Sequence, residues 1–178
     1  MAISSLKRDC RANCARNDPV IMEPKNRFQE KFQGIFSEYA EVRKRIYATI
    51  PADSLREAVG FLFNDLEARF IIISGFDNGK EIEILYHFSF DTSGEIVTLR
   101  VLLNRNKPEV DSLVPLFRGA FWIEREIWEM IGVNFREHPR LEKFLFSDDW
   151  PEGSYPYQVP RDRTNRPPDA PPIQSKLF

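Results

Sequence analysis

The chain has 178 residues, 42% of them apolar and 13% aromatic, which suffices for one sizeable core and leaves two domains cramped. Its 25 basic and 27 acidic side chains give a net charge of −2, so bulk electrostatics draw it to neither nucleic acid nor an anionic membrane. It has no run of about 18 apolar residues and no apolar stretch of the secretory kind near its start, which predicts a soluble, cytoplasmic chain.

Residues 1–24 are polar and irregular, with Pro19 and Pro24 as breakers, and are expected to form a flexible N-terminal arm. Cys10 and Cys14 fall in this arm. Two thiols fall short of the four ligands of an iron–sulfur cluster and of the usual set around structural zinc, so they are expected to be free. The folded domain is expected over 25–150. Phe28, Phe32, Ile35, Phe36, Tyr39 and Val42 recur at three and four residues, which predicts an amphipathic helix running into a short strand, RIYATI, before Pro51. A second helix is predicted after Pro51 and Asp53, with Leu55, Val59, Leu62 and Leu66 on one stripe.

The period then falls to two. ARFIIISG reads as a buried strand, and FDNGK carries an Asn-Gly hairpin signal. In EIEILYHFSF, the residues Ile82, Ile84, Tyr86, Phe88 and Phe90 share one face, while Glu81, Glu83, His87 and Ser89 take the other. IVTLRVLLN places Val97, Leu99, Val101 and Leu103 together. Three strands in a meander with two preceding helices predict an α+β fold: a two-layer sandwich with helices on one face of a largely antiparallel sheet.

Residues 104–116 read as a polar loop. A third helix follows in FWIEREIWEMIG, with Ala120, Ile123, Ile127, Met130 and Ile131 on its apolar face and Gly132 as its stop. Seven of the 13 prolines fall between Pro151 and Phe178, interleaved with Tyr155, Tyr157, Arg161, Arg163 and Arg166. Such a segment, 151–178, is expected as an extended Pro-rich tail that wraps a partner.

The charges on the third helix admit several readings. Arg125 and Glu129 are four apart, and spacing alone makes them a solvated ion-pair stripe. Glu124 is flanked by Phe121 and Trp128 one turn to either side and should be partly desolvated, seeking an arginine. A stand-alone enzyme using Glu124 or Glu126 as general base is the rival reading, but Glu126 projects elsewhere and no companion nucleophile or phosphate loop accompanies it. A peptide-binding module whose groove takes its own Pro-rich tail is the third. His138 precedes Pro139 and is expected in a turn; His87 is expected on a wetter strand face, and Asp148 with Asp149 in a cap or turn. No self-contained metal site is predicted.

The run Glu124-Arg125-Glu126, then Glu129, Gly132, Phe135, His138-Pro139, Leu141 and Asp149-Trp150 resembles the signature of the 30 kDa subunit family of respiratory complex I. That family also supplies a homologous subunit to membrane-bound [NiFe] hydrogenases and related ferredoxin-linked complexes. The resemblance implies a non-catalytic subunit of the peripheral arm, without a cofactor of its own. It would dock the large catalytic ([NiFe]-like, 49 kDa-type) subunit beside the iron–sulfur small subunit in a machine that couples electron transfer to ion translocation. It further implies that Glu124, Arg125, Glu126, Glu129, His138, Trp150, Tyr155, Tyr157 and Arg161 serve the subunit interface. Family members carry a basic residue where Glu142 stands, and quinone-reducing members continue after Asp-Trp into a Leu-Arg-Lys-Asp-Tyr-Pro-like segment. Here EGSYPYQVPRDR stands in that place, which favours a hydrogenase-type or ferredoxin-linked complex over NADH:quinone oxidoreductase.

Overall fold

The computed structural model describes residues 23–159; the N-terminal arm with both cysteines, and Arg161 with the rest of the tail, lie outside the described residues. Helix α1, Pro24–Phe32, opens on a proline in its first turn, where the missing N–H would have no helical partner. It buries Phe28 and Phe32 and stops far short of the predicted Val42. The chain turns at Gly34, and Tyr39 and Val42 belong instead to strand β1, Glu38–Val42. Their helical spacing was misleading because Phe28, Phe32, Phe36 and Tyr39 form one row of rings across the helix-to-strand junction, 5.1 to 5.6 Å apart.

Strand β2, Arg45–Thr49, matches RIYATI, and helix α2, Leu55–Gly60, continues as a π-helical turn over Phe61–Asp65. Strands β3 (Arg69–Asp77), β4 (Glu81–Phe90) and β5 (Glu95–Asn104) form the predicted antiparallel meander, with the Asn-Gly turn at 78–79. Among the described residues the sheet has five strands in the order β1-β2-β5-β4-β3, and β2 pairs with β5 in parallel while the other neighbours pair antiparallel. The crossover connection through α2, β3 and β4 makes that pairing possible.

One face of the sheet is the core: Ile82, Ile84, Tyr86, Phe88, Val97, Leu99, Val101, Ile46 and Ala48 are all buried, as a period of two demands. The helices lie on this face. Helix α3, Ala120–Ile131, crosses β3 at Gly75, where a side chain would press Ile131 of the helix and Ile84 of β4. The predicted polar loop at 104–116 contains a strand, β6 (Glu109–Asp111), paired in parallel with β7 (Asn134–Arg136) just beyond α3. This small ladder ties the two ends of the 109–136 segment together and sets where α3 begins and ends.

Candidate functional site: buried charges on helix α3

Helix α3 ends at Gly132 in the left-handed conformation, φ +84°, with its N–H donating to the carbonyl of Trp128. A side chain there would meet the Tyr155 ring at 2.6 Å, so glycine is required twice over. Residues 155–159 run across this helix end: the Tyr157 N–H donates to the Met130 carbonyl at 3.0 Å, and the Gln158 amide to that of Ile131 at 2.6 Å. At Val159 the segment meets Asp77, whose side chain is fully buried, accepts the Val159 N–H at 2.9 Å and pairs with Arg105 at 2.7 Å. Arg105 in turn donates to the Val159 carbonyl.

Three of the ionisable residues on α3 are inside the protein, which no solvated stripe would be. Glu124 is 0% exposed, Arg125 3% and Glu129 5%. Arg125 and Glu129 are fastened to neighbouring backbone. The Glu129 carboxylate accepts the consecutive N–H groups of Phe144, Leu145 and Phe146 at 2.7 to 3.3 Å. Arg125 donates to the carbonyls of Glu142 at 3.1 Å and Lys143 at 2.6 Å, with its guanidinium 5.0 Å from the Trp122 ring and 5.2 Å from Phe144. Together they hold segment 142–146, which has no regular structure of its own, flat along the helix.

Glu124 faces the opposite side. In place of a direct arginine partner it accepts the Ser112 hydroxyl at 2.6 Å and the Leu113 N–H at 2.7 Å, fastening the loop after β6. Burial pushes its pKa up to about 7, against the pull of those two donors and the more distant Arg56. The Tyr86 hydroxyl, fully buried with no hydrogen-bond partner among the described residues, is likewise driven up by burial and by the Glu124 charge. Glu126 is exposed.

The remaining expected residues divide. His138 accepts the Arg140 N–H at Nδ1, which makes Nε2 the donor to the Phe121 carbonyl at 3.1 Å; burial lowers its pKa, so the ring is neutral and ties the His-Pro turn back to α3. Trp150 stacks on Phe146 with ring centres 4.3 Å apart and donates to the Ser154 carbonyl. Tyr155 covers Gly132, whereas the Tyr157 ring is 64% exposed. His87 is half-buried beside the Thr98 hydroxyl at 3.0 Å, with its pKa lowered by burial, and Asp148 and Asp149 are exposed. Among the described residues no three His, Cys, Asp or Glu side chains converge as metal ligands.

Sequence reasoning missed Ser112, Arg105 and Asp77. The only local hint was Asp77 at the hairpin entry, where it also accepts the Gly79 N–H. The two buried carboxylates of α3, Glu124 and Glu129, thus diverge onto separate segments, each held by donors, a geometry suited to fixing loops beside an exposed ridge. Trp122, Phe144 and Leu145 form that ridge, 53%, 42% and 50% exposed.

The architecture is that of a five-stranded α+β sandwich domain whose buried ionisable groups lie beneath exposed apolar side chains. Residues 48–161 match the family model described as respiratory-chain NADH dehydrogenase, 30 Kd subunit, and the chain belongs to that family. It is 23% identical to a subunit of the NADH-quinone oxidoreductase of Citrifermentans bemidjiense, over 92% of this chain and 99% of that one. It is 32% identical to a subunit of the F(420)H(2) dehydrogenase of Methanosarcina mazei, over 60% of this chain and 72% of the other. Two solved structures share the fold. A chain of the membrane-bound sulfane sulfur reductase, an archaeal respiratory membrane complex, aligns with a TM-score of 0.63 and 22% identity, over 75% of this chain and 81% of its own length. A trypsin-resistant fragment of Nqo5 aligns with a TM-score of 0.54 and 19% identity, over 67% of this chain and its whole length. No helix among the described residues is long and apolar enough to cross a membrane.

Proposed function

We propose that this chain is a non-catalytic assembly subunit in the peripheral arm of a membrane-bound, complex I-like oxidoreductase, on the cytoplasmic side. It docks the large catalytic subunit beside the iron–sulfur small subunit, binds no cofactor itself, and leaves electron transfer to clusters held by those partners. The observation that carries this reading is the disposition of α3: Glu124, Arg125 and Glu129 are engaged with the chain's own backbone, while Trp122, Phe144 and Leu145 above them are left in water. Contiguous exposed aromatics on a rigid support are what protein interfaces use. Within that class the segment EGSYPYQVPRDR after Asp149-Trp150 favours a hydrogenase-type or ferredoxin-linked complex. The near full-length alignment with a subunit of a NADH-quinone oxidoreductase favours the alternative.

The test is purification from the native membrane through a tag on this chain. Co-purification of iron–sulfur subunits supports the reading, and the donor oxidised by the purified complex, reduced ferredoxin or NADH, decides between the branches. A tagged chain that turns over a substrate without partners would refute it.

A further inference from the structure

We infer that Arg118, Trp122 and Glu126 form a polar–aromatic–polar docking stripe that takes a partner segment with an apolar centre, an acidic side chain on one side and a basic one on the other. This deepens the docking reading above and rests on it. The three residues are spaced by four along α3 and the turn that leads into it, so they share one face. Trp122 stands 53% exposed yet is held rigidly, edge-on to Phe121 at 5.0 Å and tilted against Phe144 at 4.8 Å. It forms one wall of an open groove completed by Val114, Arg118, Phe121 and Pro139.

Charge complementarity identifies the occupant. Among the described residues the side chains of Arg118 and Glu126 are both exposed and make no hydrogen bond or ion pair, whereas Arg125 and Glu129 on the same helix are fully engaged. The Arg118 guanidinium, which lines the groove, and the Glu126 carboxylate, one turn beyond Trp122 on the same stripe, both unpaired among the described residues, stand roughly 12 Å apart along the axis, from a rise of about 1.5 Å per residue. The apolar wall between them accepts a large side chain, and the opposed charges fix its direction, because a reversed segment would set like charges together. The stripe therefore selects an acid–apolar–base segment of a neighbouring subunit, with its carboxylate on Arg118.

The experiment places a photo-reactive benzoylphenylalanine at position 122 of the full-length tagged chain in its native host, irradiates intact membranes and identifies the cross-linked peptide by mass spectrometry. The expected product is a peptide of another subunit that carries an apolar residue between an acid and a base. Arg118→Glu, at an exposed position that leaves the fold intact by circular dichroism, should lower the cross-link yield by about tenfold, and reversing the partner's carboxylate to lysine should restore it. The inference is overturned if the cross-link stays within this chain, or if Arg118→Glu and Glu126→Lys leave the yield unchanged while the chain still co-purifies with the complex. Failure to co-purify with any subunit, before any substitution is made, sinks the docking reading and this inference with it.

Discussion

Replacing Glu129 with glutamine changes one atom and should free a whole segment. The carboxylate receives three consecutive backbone N–H groups, those of Phe144, Leu145 and Phe146. Glutamine keeps one carbonyl oxygen and turns an NH2 donor toward N–H groups that are already donors, so at least one buried amide loses its acceptor. Hydrogen bonds to a charged acceptor contribute about 1.5–3 kcal/mol each and are not additive, which places the loss near 3 kcal/mol. Arg125 still grips the carbonyls of Glu142 and Lys143, so the segment should open locally and not unfold the domain. Hydrogen exchange read by mass spectrometry over 144–146 should accelerate by about a hundredfold, with exchange in β4 and β5 unchanged. Unaltered protection at 144–146 would refute the reasoning, because it would mean that the carboxylate does not hold the segment.

Glu124 predicts a pH dependence. Its pKa is raised from 4.5 to about 7, so the folded state retains a proton that the unfolded chain releases. Stability from this group is full below pH 4.5 and falls as pH rises through 7, by about 3 kcal/mol in all. Glu124→Gln, which can still accept from Leu113 and donate to Ser112, should flatten that slope in urea unfolding measured from pH 5 to 8; an unchanged slope would assign it elsewhere. Gly132→Ala must adopt φ +84° and displace Tyr155, costing at least about 1–2 kcal/mol in chemical denaturation. Asp77→Asn leaves the largely buried Arg105 without its counter-charge and should expose the Val159 amide to exchange, with a loss of about 3 kcal/mol or more in stability.

The sheet was legible wherever burial alternates along one strand. Ile82 to Phe90 and Val97 to Leu103 show it plainly, and the Asn-Gly pair marks the turn between β3 and β4. Pairings made across long stretches of sequence were not legible. The parallel contact of β2 with β5 and the three-residue ladder of β6 with β7 depend on partners about 50 and 25 positions away. The row of rings from Phe28 to Tyr39 imitated a helix because rings on a helix and on the strand beside it can meet in one cluster. At the site, the spacing of Arg125 and Glu129 suggested that they pair with each other. Apart from the Glu142 carboxylate, 3.5 Å from Arg125, their partners are backbone N–H and carbonyl groups of segment 142–146, which every residue possesses and which therefore leave no mark in the sequence. The resemblance carried by Glu124-Arg125-Glu126 and His138-Pro139 identified the family where residue spacing alone could not.

The most direct test of the account is the yield of assembled complex against turnover per complex in Arg125→Ala, purified through a tag on another subunit. Removing a buried guanidinium leaves two carbonyls unpaired and a void beside the packed Trp122 and Phe144 rings, a local cost of about 3–5 kcal/mol. The expected result is a severalfold drop in assembled complex, with the turnover of each surviving complex unchanged. Normal assembly with lost turnover would contradict the claim that this chain fastens the machine and performs none of its chemistry.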